Sequence, residues 1–176
     1  MKNTSLWLFR VFILLAIAML AISWFLPWWN AAIDMVGSRA VQIHPYGLTE
    51  DMGRLVSFIH GADLPVWFAP LAYSYLGISV VCLLYSIFRL KDKKTKWILL
   101  GVGAIYVLYV IGATVFASIR VQDFGMGGLL GKHYIINGPE GPIYATGNFE
   151  LGYYLAYITG LICILLGLLR DKFLKN

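Results

Sequence analysis

The chain has 176 residues, 60% of them hydrophobic and only 13% charged, and its mean hydropathy is +0.74. A soluble domain carries roughly twice that share of charge, so composition excludes an ordinary soluble globular protein. The formal charge of +5 does not call for a nucleic-acid partner, because the basic residues flank apolar segments and cluster on one side of them.

Four segments are long enough to cross a bilayer, which takes roughly 20 apolar residues. They cover about 11–29, 64–88, 97–119 and 151–169, and none contains Asp, Glu, Lys, Arg or His. Without water the backbone must satisfy its own hydrogen bonds, so each segment is read as a helix. The expected fold is an all-α integral membrane protein, residues 1–176 forming a single membrane domain. A four-helix bundle carries a small extracytoplasmic cap made of one short amphipathic helix and a few strands.

In the first segment, Lys2 and Arg10 precede an apolar run that ends in "WFLPWWN", residues 24–30. A cleaved signal peptide needs small residues there, whereas the chain supplies Pro27, Trp28 and Trp29, so the helix is expected to be retained. Pro27 marks its bend or stop, and Trp28 and Trp29 are read as anchors in the outer headgroup layer. Trp67 belongs to the same belt, with Trp7 and Trp97 at the opposite interface.

The first outer loop covers 30–63. Its "AVQIHPYGL" alternates, with Val41 and Ile43 on one face and Gln42 and His44 on the other, which predicts a strand. "TEDMGRLVSFIHG" then predicts a short surface helix. Thr49 is its N-cap, Glu50 and Asp51 lie in its first turn, and Met52, Leu55, Val56 and Ile59 form one apolar face. Pro65 opens the second span, where a missing N–H does no harm.

The turn "RLKDKKTK" at 89–96 separates the second and third spans and is expected to meet anionic lipid headgroups. The second outer loop, 120–150, begins with Gly125, Gly127, Gly128 and Gly131, which lack the strand and GK[ST] context of a phosphate loop. "KHYII" and "IYAT" flanking "NGPEGP" predict a hairpin with a six-residue turn, placed to pair with the strand of the first loop.

In the fourth span Gly152, Ala156 and Gly160 recur every four residues, with Gly167 seven further on. Ala113 and Ala117 repeat the spacing in the third. Small residues so placed let a second backbone approach. The stripe is read as packing within the bundle, with a face presented to another subunit as the competing reading.

Ten Lys and Arg residues fall on the side of the termini and the 89–96 turn against four on the loop side, and seven of nine acidic residues lie on the loop side. The positive-inside rule then puts both termini in the cytoplasm and both loops outside, in the plasma membrane. Layout alone resembles claudin-like tetraspans: termini inside, and a large first outer loop with strand character. Their W…GLW…C…C signature is absent, since Cys82 and Cys163 both lie within spans.

Chemistry-bearing residues are sparse. No CxxC is present, which argues against a membrane thiol oxidoreductase. The spans hold no histidine for haem and no ionisable carboxylate or amine for a transport path. Serines and threonines within the spans are expected to bond back to their own helices. Tyrosines there point to helix contacts, or to a lipid or quinone groove as the competing reading. His44, His60 and His133 all fall in the outer loops and, with nearby carboxylates, are the candidates for a zinc or copper site.

The leading functional expectation is a non-catalytic accessory or scaffold subunit, with no cofactor, whose partners are membrane lipids and other integral membrane proteins. The alternative is a metal- or ligand-binding membrane protein serving a membrane oxidoreductase.

Overall fold

The computed structural model describes residues 2–34, 37–50, 66–123, 127–138 and 141–175. Helices α1 (Lys2–Phe25), α2 (Phe68–Phe88), α3 (Lys93–Asp123) and α4 (Leu151–Lys175) are each long and apolar enough to cross a membrane. Strands β1 (Trp29–Ile33), β2 (Gly37–His44) and β3 (Gly47–Glu50) follow α1, and β4 (Gly131–Gly138) and β5 (Gly141–Phe149) precede α4. The sheet caps one end of the bundle. The start of α1, the end of α4 and the α2–α3 turn lie together at the other.

Each helix is built on an apolar run, and α3 and α4 extend past it into charged residues at 93–96 and 170–175. α4 is the central helix, packed closely on α3 and α1, while α2 makes lighter contacts with α1 and α3. Small residues set these distances. A Cβ on Gly160 would meet the Val107 side chain at 2.7 Å and the Gly103 carbonyl at 3.2 Å. One on Gly152 would meet the Pro27 carbonyl oxygen at 2.6 Å, and one on Gly167 would meet Leu100. Ala156 is fully buried, Ala117 is buried beneath the sheet and Ala113 packs against the main core. These small residues face neighbouring segments of this chain.

Most of the serine and threonine hydroxyls in the spans bond back to their own helices, as the sequence predicts. Ser74 donates to the Pro70 carbonyl, Ser86 to Cys82, Thr114 to Val110, Ser118 to Thr114 and Thr159 to Leu155.

The five strands form one antiparallel sheet in the order β3-β2-β1-β5-β4. Four long apolar helices and one small sheet agree with the expected bundle and its cap of strands. The hairpin from the second loop does form, but it pairs with β1 rather than with the strand around His44. β1 starts inside the segment assigned to the first span: α1 stops at Phe25, and Trp29 is already a strand residue. Pro27 accounts for the early stop, since it can neither donate to the helix nor let its predecessor stay helical. The β4–β5 ladder continues to Asn137↔Pro142 and Gly138↔Gly141, so four residues of the expected six-residue turn belong to strands, and residues 139–140 lie outside the described residues. Thr49 and Glu50, assigned to a helix start, belong to β3. The rest of that expected helix, with His60 and Pro65, lies outside the described residues.

Two cores result. The larger fills the bundle with Phe9, Ile13, Leu20, Trp24, Leu83, Leu99, Tyr106 and Val110. The smaller lies between the sheet and α3, built from Trp29, Ala31, Ala117, Val121, Leu129 and Ala145. At 31 residues and ~1.5 Å per residue, α3 exceeds the ~30 Å hydrocarbon layer, and its last turns supply the base on which the sheet rests.

Candidate functional site: the aromatic junction of bundle and sheet

The strongest concentration of polar side chains in apolar surroundings is where α1 meets the sheet. The residues of "WFLPWWN" organise it. Trp24 is fully buried, with the rings of Tyr75, Tyr106 and Tyr109 at centroid distances of 6.0, 6.3 and 5.8 Å. Trp28 packs edge-on against Tyr106 and Tyr109 and donates its indole N–H to the Ser23 carbonyl at 2.8 Å. Ser23 spends its own proton on the Leu20 carbonyl, so its Oγ accepts from the Tyr106 hydroxyl at 2.7 Å. Amphipathic rings suit such a boundary, where an apolar body needs one polar anchor.

Trp29 points the other way, into the sheet core, and donates to the Leu129 carbonyl at 2.7 Å. Its path exists because residue 147 is glycine. A Cβ there would collide with that carbonyl and sit 3.0 Å from the Trp29 ring. Trp28 and Trp29 are thus internal fasteners, each about 95% buried or more, and not the headgroup anchors the sequence suggested. Their indoles found carbonyl acceptors inside the protein. Trp7, Trp67 and Trp97, by contrast, face outward.

Backbone bonds complete the junction. Trp28 N–H donates to the Ile43 carbonyl and Glu150 N–H to the Trp28 carbonyl, at 2.8 and 3.0 Å. Asn30 donates its side-chain amide to the Glu150 carboxylate. Tyr109 donates its hydroxyl to the Pro45 carbonyl, tying the β2–β3 turn to α3. That turn also carries a ring stack in which His44 lies 5.1 Å from Tyr46, and Tyr46 lies 5.3 Å from Tyr73 on α2.

His44 is buried, with one ring nitrogen toward the Leu26 carbonyl and Nδ1 without a partner among the described residues. Burial holds its pKa below the ordinary histidine value, with the Leu26 contact opposing. His133 instead sits at the sheet rim, its Nε2 2.8 Å from the Leu130 carbonyl. The register separates the two. His133 pairs with Ala145, Ala145 with Ile33 and Ile33 with Gly37, which is the opposite end of β2 from His44. At ~3.3 Å per strand residue they stand on the order of 20 Å apart, so no single ion can bind both. No group of three His, Cys, Asp or Glu suited to a metal occurs among the described residues.

Tyr153, Tyr154 and Tyr157 line an outward-facing groove of about 440 Å³ between α3 and α4, with Ile111, Thr114, Val115 and Ile158. It is apolar and open, and it carries no charged group.

At the opposite end, sequence reasoning missed Arg170. Read there as one more orienting charge, it is 4% exposed. Its Nε donates to the Leu90 carbonyl at 3.0 Å, Nη2 to the Asp92 carbonyl at 2.7 Å and Nη1 to the Asp171 carboxylate at 2.7 Å. An arginine abutting the last apolar turn of α4, opposite a short polar turn, was the available signal.

No protein-family model matches the chain, and no curated protein matches it in sequence.

Proposed function

We propose that this protein is a non-catalytic accessory or scaffold subunit of a membrane complex, holding a partner at a fixed height above the bilayer. In this reading it lies in the plasma membrane with both termini cytoplasmic and the sheet outside. Its partners are lipids and other integral membrane proteins, and it uses no cofactor. One observation carries the reading: among the described residues, the α1–β1 and β5–α4 connections of sheet to bundle are short and bonded. β1 begins four residues after α1 ends, α4 begins two residues after the last residue of β5, and Trp28, Trp29, Asn30 and Tyr109 bond across the joint. A sheet so mounted suits positioning more than gating, which needs an element that moves.

The test is purification in mild detergent followed by mass spectrometry of what co-elutes. A stoichiometric integral membrane partner, lost when exposed sheet residues such as Tyr134 are replaced by charged ones, supports the proposal. Recovery as a monomer, under conditions that keep other complexes of the same membrane intact, refutes it.

A further inference from the structure

The turn between α2 and α3 is a built structure, and its exposed charges have a fixed arrangement. Three of its carbonyls are engaged: Arg89 by Asp92 N–H and by the Thr95 hydroxyl at 2.6 Å, Leu90 by Arg170, and Asp92 by Thr95 N–H and by Arg170. Thr95 is fully buried beneath it. The two acidic residues at this end are committed as well. Asp92 accepts from Lys94 N–H and from the Tyr85 hydroxyl, and Asp171 accepts from Arg170 and Lys96. Arg89, Lys91, Lys93 and Lys94 remain exposed, and none forms an ion pair among the described residues. Asp92 lies within electrostatic range of Arg89 and Lys94 and offsets about one of the four charges, leaving a net positive cluster.

Its depth follows from the flanking residues. Phe88 and Trp97 bracket the turn on its bilayer side and are 78% and 72% exposed. Exposed aromatics at helix ends settle at the headgroup boundary, so the four cations stand at the level of lipid phosphates. We propose that this turn is a preorganised binding site for the headgroup of an anionic phospholipid, with Arg170 as its positioning residue. Charge complementarity selects the lipid. Arg170 never touches it, and acts by holding the backbone on which Arg89, Lys91, Lys93 and Lys94 are mounted.

The experiment places the full chain in nanodiscs of phosphatidylcholine with a minority of phosphatidylglycerol and counts retained lipids by native mass spectrometry. A built site retains a small, fixed number of phosphatidylglycerol molecules, which saturates as their fraction rises. Retention that climbs in proportion to that fraction overturns the proposal. Neutralising the cluster (Arg89→Gln, Lys91→Gln, Lys93→Gln and Lys94→Gln together) is expected to weaken retention by about fivefold per charge removed. Unchanged retention overturns it. The double variant Arg170→Leu with Asp171→Asn keeps the net charge and all four exposed cations, and is expected to lose saturable retention. If that double variant folds and retains phosphatidylglycerol as the parent does, Arg170 has no positioning role. If it fails to accumulate, the saturation curve of the parent chain and the quadruple variant still decide whether the site exists.

Discussion

At the sheet end, Trp24, Trp28, Tyr106 and Tyr109 join helices to sheet through neutral rings whose N–H and O–H groups mostly reach backbone carbonyls or a serine. At the turn end, Arg170 does the same work with a buried guanidinium, two carbonyls and a half-exposed carboxylate. The difference teaches where each chemistry is affordable. Neutral donors can sit deep in an apolar core because their desolvation is small, while a charge needs several hydrogen bonds and a water-facing counterion close by.

The comparison breaks most visibly at the sheet end. Trp24→Ala removes a fully buried indole from the main core and should cost about 3–5 kcal/mol, read as a lowered thermal midpoint in detergent. The helix stripe offers a second large effect. Because Ala156 is fully buried and flanked by the Gly152 and Gly160 contacts, Ala156→Leu should prevent accumulation of the folded chain. Normal accumulation with only a lost partner would mean that the stripe serves another subunit.

Arg170→Leu leaves the Leu90 and Asp92 carbonyls without their donors. It should cost about 1–3 kcal/mol, because the Asp171 carboxylate is half exposed and water takes over its part. Loss of protection from hydrogen exchange should be confined to the α2–α3 turn. Tyr106→Phe, which deletes one hydrogen bond while Ser23 keeps its bond to Leu20, should cost about 1 kcal/mol.

pH separates the ends further. The His44 pKa is held low by burial in the fold, so the unfolded chain binds more protons and stability rises with pH. His44 costs nothing above the unfolded value of 6.5, and its penalty grows as pH falls below that. Asp92 is shifted down, first by the Lys94 N–H and then by the Tyr85 hydroxyl, so its contribution is lost only as pH falls below 3.8. Acid should therefore loosen the sheet end first, and His44→Phe should flatten that early loss in a thermal-midpoint series. The smallest effect belongs to the exposed Lys132–Asp34 pair at the sheet rim. Lys132→Gln should change stability by less than about 1 kcal/mol, and added salt should erase the difference.

Much of this was legible from residues alone. Four apolar runs of spanning length predict four helices because lipid leaves the backbone no other economy of hydrogen bonds. The 137–142 turn chemistry located a hairpin, and the small residues of α4 marked its packing face. "WFLPWWN" announced a boundary, and a boundary is what the structure has there: α1 stops and β1 starts within it.

Tertiary structure decided which way its tryptophans face. An indole reads the same in sequence whether its N–H meets a lipid headgroup or a carbonyl brought in from Leu129, a hundred residues away. The order of strands escaped for the same reason, since β1 pairs with β5 across more than a hundred positions. So did Arg170, whose acceptors at Leu90 and Asp92 come from another helix pair. Hydrophobic period and span length are local properties that the chain carries in itself. The partner of a buried donor is set only when distant segments meet.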